Sequence, residues 1–166
     1  MSQKKEYDKD FIIMVRQYEA VIYKVVSFYA DQENPTSDLY QETILNLWKG
    51  YPSFRGESKV STWIYRIALN TCITFLRRKK NRIEYVDITF DIPEDIEFKE
   101  NIQELYRLIN YLGKIERALI LLYLDEKSYK EIAEITGMSV TNVATKLSRI
   151  KDKLKQMSNK DWIVWT

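Results

Sequence analysis

The chain has 166 residues, 45% of them apolar and 30% charged, with a formal net charge of +2; this is ordinary globular composition, and the length suits one medium domain or two small ones. Four glycines and three prolines are too few for a turn-rich all-β fold and favour long helices. The lack of histidine excludes a His-based general base, a Ser-His-Asp triad and a His-ligated metal, and the single cysteine, Cys72, excludes an internal disulfide and a multi-Cys zinc site.

Residues 8–30 set Phe11, Met14, Val15, Tyr18, Val21, Ile22, Val25 and Tyr29 at helical spacing, which predicts a single helix with one apolar stripe. Asn34-Pro35 reads as an N-cap with Pro at the first helical position. The helix that follows, to about Lys49, turns Leu39, Thr43 and Leu47 inward and groups Asp38, Gln41, Glu42 and Asn46 on another face. Residues 50–57 break the period and read as a loop. A helix from about Ser58 to Lys80 places Trp63, Ile64, Ile67, Ala68, Thr71 and Phe75 on its buried side. Cys72, on the same helix, reads as a packed residue.

Residues 81–98 lose the helical period, are acidic and are interrupted by Pro93, which predicts an extended linker. Helical spacing resumes at Ile102, pauses at Leu112-Gly113 and continues through Leu122 and Tyr123. Ser128-Tyr129-Lys130-Glu131 fits an S-x-x-E capping box. A short helix from Tyr129 ends at Gly137, and Ser139 caps a second helix from Val140 to about Met157. Ala133, Gly137 and Val143 form the small–turn–apolar triplet of a helix-turn-helix. Thr141, Asn142, Thr145, Lys146 and Arg149 then point outward, where they suit base edges and phosphates in a major groove.

Charge is segregated. Residues 31–42 hold four acids and no base, residues 76–82 five cations and no anion, and Glu84 to Glu104 eight acids against Lys99 alone. Lys146, Arg149, Lys151, Lys153 and Lys155 then face only Asp152. Two cationic blocks around an acidic middle suggest polyanion contact by two modules. The loop Ser53-Phe54-Arg55-Gly56, leading into a helix with Trp63, Tyr65 and Arg66, adds the aromatics and cations that unpaired bases need. No apolar run approaches the roughly 20 residues of a membrane span. The start MSQKKEYDKD has no apolar stretch behind its basic residues, so neither a secretion signal nor direct membrane insertion is expected, and the expected location is cytoplasmic.

Three stretches carry a family resemblance: Asp38-Leu39-Tyr40-Gln41-Glu42, Ser53-Phe54-Arg55-Gly56-Glu57-Ser58, and Thr62-Trp63-Ile64-Tyr65-Arg66-Ile67-Ala68-Leu69-Asn70. Together with Glu116-Arg117, Tyr129 to Ala133 and Ser139 to Leu147, they resemble extracytoplasmic-function (group IV) RNA polymerase sigma factors over about residues 8–157. The resemblance implies an all-α chain of two small helical domains joined by an acidic linker, the C-terminal one a helix-turn-helix. Its divisions are 1–80, a linker at 81–100, 101–157, and an apolar tail at 158–166.

The implied partners are core RNA polymerase, promoter DNA (duplex and melted non-template strand) and an anti-sigma factor, and no cofactor is expected. Asp38, Gln41 and Glu42 are the implied polymerase-docking residues. Ser53, Phe54, Arg55 and Asn70 would capture an unstacked base of the minus-ten element, while Trp63, Arg66, Arg77, Arg78, Lys79 and Lys80 hold the strand. Ser139, Thr141, Asn142, Thr145, Lys146 and Arg149 would read the minus-thirty-five element. A stand-alone helix-turn-helix regulator is the alternative, but it leaves the acidic helix and the aromatic loop without a purpose. A DNA enzyme would need a positioned nucleophile and base or a carboxylate metal cluster, whereas the carboxylates gather in the linker and on one helix face.

Overall fold

The computed structural model describes residues 2–31, 33–78 and 96–158. They form eight α-helices and one 3₁₀ turn, with no strand among the described residues. The chain divides into two compact units, Met1–Arg82 and Ile83–Thr166.

The first unit holds α1 (Ser2–Gln17), α2 (Glu19–Tyr29), α3 (Thr36–Gly50), a 3₁₀ turn (Tyr51–Ser53) and α4 (Val60–Arg78). The single helix expected over 8–30 starts earlier, at Ser2, and is parted at Tyr18 (φ −107°, ψ 13°). The backbone ladder crosses the break: Tyr18 N–H donates to Met14 C=O at 3.2 Å, and Ile22 N–H to Tyr18 C=O at 3.0 Å. The apolar stripe therefore survives, with Phe11, Met14, Ile22, Val25 and Tyr29 all buried. A periodicity argument cannot register a distortion that keeps the period.

Asn34 is not the cap of α3. Its backbone N–H and its side-chain amide both donate to Asp31 Oδ1, at 2.6 and 3.0 Å. Pro35 stands at the cap position instead, and its carbonyl accepts from Asp38 N–H and Leu39 N–H. Leu39, Thr43 and Leu47 point inward as expected, Thr43 disposing of its hydroxyl by donating to Leu39 C=O at 2.7 Å.

Helix α4 packs against both α2 and α3, so its buried face is broader than one stripe. Ile64, Ala68 and Thr71 are buried as expected, but Trp63, Ile67 and Phe75 are only half-buried. Tyr65, Leu69 and Cys72 complete the core face. Tyr65 is thus a core residue and not part of a nucleic-acid surface, and burial raises its phenol pKa.

The second unit comprises α5 (Ile96–Ile109), α6 (Lys114–Leu124), α7 (Tyr129–Thr136) and α8 (Val140–Met157). Residues 96–100, expected in the linker, are helical; Glu and Lys are good helix formers, so charge content alone does not mark a linker. The rest of the expected acidic stretch up to residue 95, and the apolar tail from 159, lie outside the described residues. The core gathers Leu108, Ile109, Leu112, residues 118–122, Ile132, Ile135, Val143, Leu147, Ile150 and Leu154. The turn between α5 and α6 is held by Arg117, which donates to Asn110 C=O at 2.8 Å and Leu112 C=O at 3.2 Å. Glu116 accepts from Gly113 N–H at 3.1 Å, satisfying an amide at the α6 start.

Burial pushes the Cys72 thiol up to about 12, so at neutral pH it is protonated as well as inaccessible. A thiol-directed reagent should leave the native chain unlabelled and modify it only once denaturant unfolds the first unit. Native-state labelling at the rate of a free thiol would show that α4 does not pack as described.

Candidate functional site

On α3 the three expected docking residues stand at i, i+3 and i+4, along one arc of the helix that runs between two grooves. Asp38 is exposed on the ridge of the helix. Gln41 lines an apolar groove of about 690 Å³ between α1 and α3, walled by Phe11, Ile12, Ile44, Leu45 and Trp48. Glu42 lies on the other flank, in a cleft of about 380 Å³ between α3 and α4 that also takes in Asn46, Lys49, Asn70, Thr71 and Thr74. Asn46, grouped with the acids from sequence, is instead tied across to α4: its Nδ2 donates to Thr71 Oγ1 at 3.0 Å.

The aromatic loop is more ordered than its composition suggests. Tyr51, Pro52 and Ser53 close a 3₁₀ turn in which Phe54 N–H donates to Tyr51 C=O at 3.2 Å and Ser53 Oγ–H to Gly50 C=O at 2.9 Å. Gly56 then takes φ +72°, a conformation that suits glycine. The Phe54 ring stacks on Trp63 with centroids 4.8 Å apart and planes 26° from parallel. Tyr51 touches Trp63 at 6.3 Å, Tyr7 at 4.9 Å and Phe11 at 5.3 Å, and Trp48 meets both Tyr7 and Phe11. A continuous run of rings therefore moors the loop to α1, α3 and α4, each pair adding about 0.5–1.5 kcal/mol beyond its burial.

Trp63 and Asn70 lie seven residues apart, nearly two turns, and so share a face of α4 with Ile67 and Thr74. Asn70 and Arg55 are exposed, and Trp63, Arg66 and Phe54 half-buried. Arg77 and Arg78 close α4, while Lys79 and Lys80 lie outside the described residues. Sequence reasoning missed Lys49 and Thr74 as neighbours of Asn70, because one helix's period carries no signal for a cleft between two helices.

In the second unit the helix-turn-helix forms as expected. Glu131 N–H donates to Ser128 Oγ at 3.1 Å, and Ser128 N–H to Glu131 Oε2 at 2.8 Å. Gly137 takes φ +76°, and Asn142 N–H donates to Ser139 Oγ at 3.1 Å. Val143, Leu147 and Ile150 face the core. Thr141, Asn142, Thr145 and Arg149 are exposed and Lys146 half-buried. Thr145 donates its hydroxyl to Thr141 C=O at 3.0 Å, so towards solvent it offers an acceptor. Two cations of the basic run have partners within the protein. Lys151 sits 3.8 Å over the Tyr123 ring and bonds Tyr129 Oη at 3.5 Å, and Lys153 pairs with Glu116 at 3.3 Å.

Comparison with known proteins matches these same two units. Residues 14–82 fit the family model of Sigma-70 region 2, and residues 102–154 that of Sigma-70 region 4. The RNA polymerase sigma factor YlaC of Bacillus subtilis (strain 168) is 32% identical over 158 residues, covering 89% of this chain and 91% of that protein. The chain belongs to the extracytoplasmic-function family of RNA polymerase sigma factors. The extracytoplasmic-function sigma factor SigW of the same organism is 29% identical over 176 residues, covering 94% of this chain and 93% of its own. The fold agrees with the sigma factor RpoE of Bartonella quintana, solved with the anti-sigma factor NepR, at TM-score 0.68 and 19% identity over 95% of this chain and 99% of that one. As a sigma factor, the chain directs core RNA polymerase to promoters to initiate transcription.

Gly137→Ala should destabilise the second unit by more than about 1 kcal/mol, since it forces a Cβ into a left-handed conformation. Urea denaturation of the two proteins would measure the difference, and equal midpoints would remove the turn from the account of this unit.

Proposed function

We propose that the two units divide promoter recognition, residues 1–80 taking polymerase docking and the minus-ten element and residues 96–157 the minus-thirty-five element, with 81–95 as a linker between them. The observation that carries this reading is the outward face of α4. There Trp63, stacked by Phe54 from an ordered loop, lies about two turns from the exposed amide of Asn70. A ring platform followed by a polar reader suits an unpaired base held at its face and its edge. Ser53 and Arg55 flank Phe54, and Arg66, Arg77, Arg78, Lys79 and Lys80 supply cations for the strand backbone.

Strand opening then follows from differential binding. A ligand contact shifts an equilibrium only as far as it prefers one state, and these contacts exist only with an unstacked base. Unstacking costs a few kcal/mol, and stacking on a ring returns about 1–3 kcal/mol per base. No bond need be made or broken by the sigma factor, so it acts as a non-enzymatic initiation subunit. Asp38, Gln41 and Glu42 dock the polymerase; the carboxylates of Asp38 and Glu42 repel a phosphate backbone. Ser139, Thr141, Asn142, Thr145, Lys146 and Arg149 face the duplex from α8, with Ser139 positioning the helix start. The sigma–anti-sigma complex of similar fold supports an anti-sigma factor as a restraining partner. The site of action is the cytoplasm.

Purified core polymerase with this chain should give run-off transcripts from its own promoters, and Phe54→Ala should slow open-complex formation at least roughly fivefold while leaving closed-complex affinity unchanged. Equal loss in both steps would remove the base-capture role.

Arg149→Ala should weaken promoter binding by about 1–3 kcal/mol if the guanidinium reads a base, with the loss confined to one position of the minus-thirty-five element. A loss that is uniform across promoter sequences would make it a phosphate contact.

A further inference from the structure

We infer that Asn46 is a base-reading residue of the α3–α4 cleft, a specificity determinant for the melted strand and not a member of the docking face. The inference rests on the base-capture reading above and extends it to the opposite wall. Three observations carry it.

Asn46 is on α3, the helix of Asp38 and Glu42, but its side chain crosses to α4 and lines the same cleft as Asn70. The cleft thus has a carboxamide on each wall, and its volume of about 380 Å³ falls in the range of small-ligand sites.

The orientation of the Asn46 amide is fixed by hydrogen-bond arithmetic. Thr71 Oγ1 donates its one proton to Ile67 C=O at 2.6 Å. Towards Asn46 it can therefore only accept, so the group turned to it at 3.0 Å must be the NH₂. The carbonyl oxygen of Asn46 is left over, with no hydrogen-bond partner among the described residues. Adenine, cytosine and guanine carry an exocyclic amino group that can donate to such an oxygen. Thymine offers only its N3–H, flanked by two carbonyl oxygens that the Asn46 oxygen repels. The cleft therefore selects an amino-bearing base and disfavours thymine.

Charge along the α3 wall is graded in a direction consistent with strand binding. Lys49 stands at the loop end of the wall and Glu42 at the other. A phosphate is accommodated beside Lys49 and disfavoured beside Glu42, which sets the side on which the sugar–phosphate backbone passes.

The test uses holoenzyme assembled from core polymerase and the full chain, bound to unpaired non-template-strand oligonucleotides substituted base by base through the minus-ten element. The native chain should prefer an amino-bearing base to thymine at one position by roughly fivefold, the scale of one hydrogen bond. Asn46→Ala should abolish that ratio and leave affinity for core polymerase unchanged. Asn46→Asp, which keeps an acceptor, should retain the ratio even if total binding falls. Thr71→Val removes the hydroxyl that fixes the amide while keeping its shape, and should weaken the ratio at the same position with affinity for core polymerase unchanged.

Should Asn46→Ala keep the ratio while Asn70→Ala loses it, the Asn46 assignment fails and base capture stands. Indifference of both variants at every position would sink base capture as well. A fall in core affinity with the ratio intact would return Asn46 to the docking face.

Discussion

The constraint behind the N-terminal unit is that α4 must be interior and exterior at once. It packs against α2 and α3 through Ile64, Tyr65, Ala68, Leu69 and Cys72, and it presents Trp63, Arg66 and Asn70 on the remaining arc. The buried side fixes the axis and rotation of the helix, and so fixes where the exposed groups stand. The Phe54 loop is then positioned against that rigid surface by ring contacts, so its aromatic side chain is held in place before any strand arrives. Preorganisation of this kind reduces the ordering cost of binding.

The C-terminal unit solves a similar problem with local chemistry. Its turn depends on two caps and one left-handed glycine, and its reading face is opposed by Val143, Leu147 and Ile150. The basic run of α8 does two jobs. Lys151 and Lys153 brace α8 against Tyr123, Tyr129 and Glu116, while Thr141, Asn142 and Arg149 remain exposed towards solvent. A count of cations along the sequence overstates the charge available to DNA.

What could be read from the sequence was whatever depends on neighbours within about four residues. The Ser128–Glu131 box, Gly137 and the Ser139 cap are of that kind, and so are the apolar stripes of α3 and α8. Where Asn34 failed as a cap, the rival partner was also close, at Asp31, but a short polar side chain has several local options and residue type does not choose among them. The bond from Asn46 to Thr71 spans 25 residues and was invisible for a different reason. It depends on how two helices are rotated about their axes, which periodicity fixes only to within an arc of about 100°. The same uncertainty put Tyr65 among the nucleic-acid aromatics and hid the fact that Gln41 and Glu42, neighbours on α3, border different grooves.

The lone sulfhydryl of the sequence is fully buried in the first unit. Peroxides and disulfide-exchanging reagents attack the ionised, accessible form of a thiol, and Cys72 offers neither property. If the genes this factor switches on answer to thiol oxidation, the sensing sulfur has to belong to another molecule, and this subunit acts only as the receiver of its message.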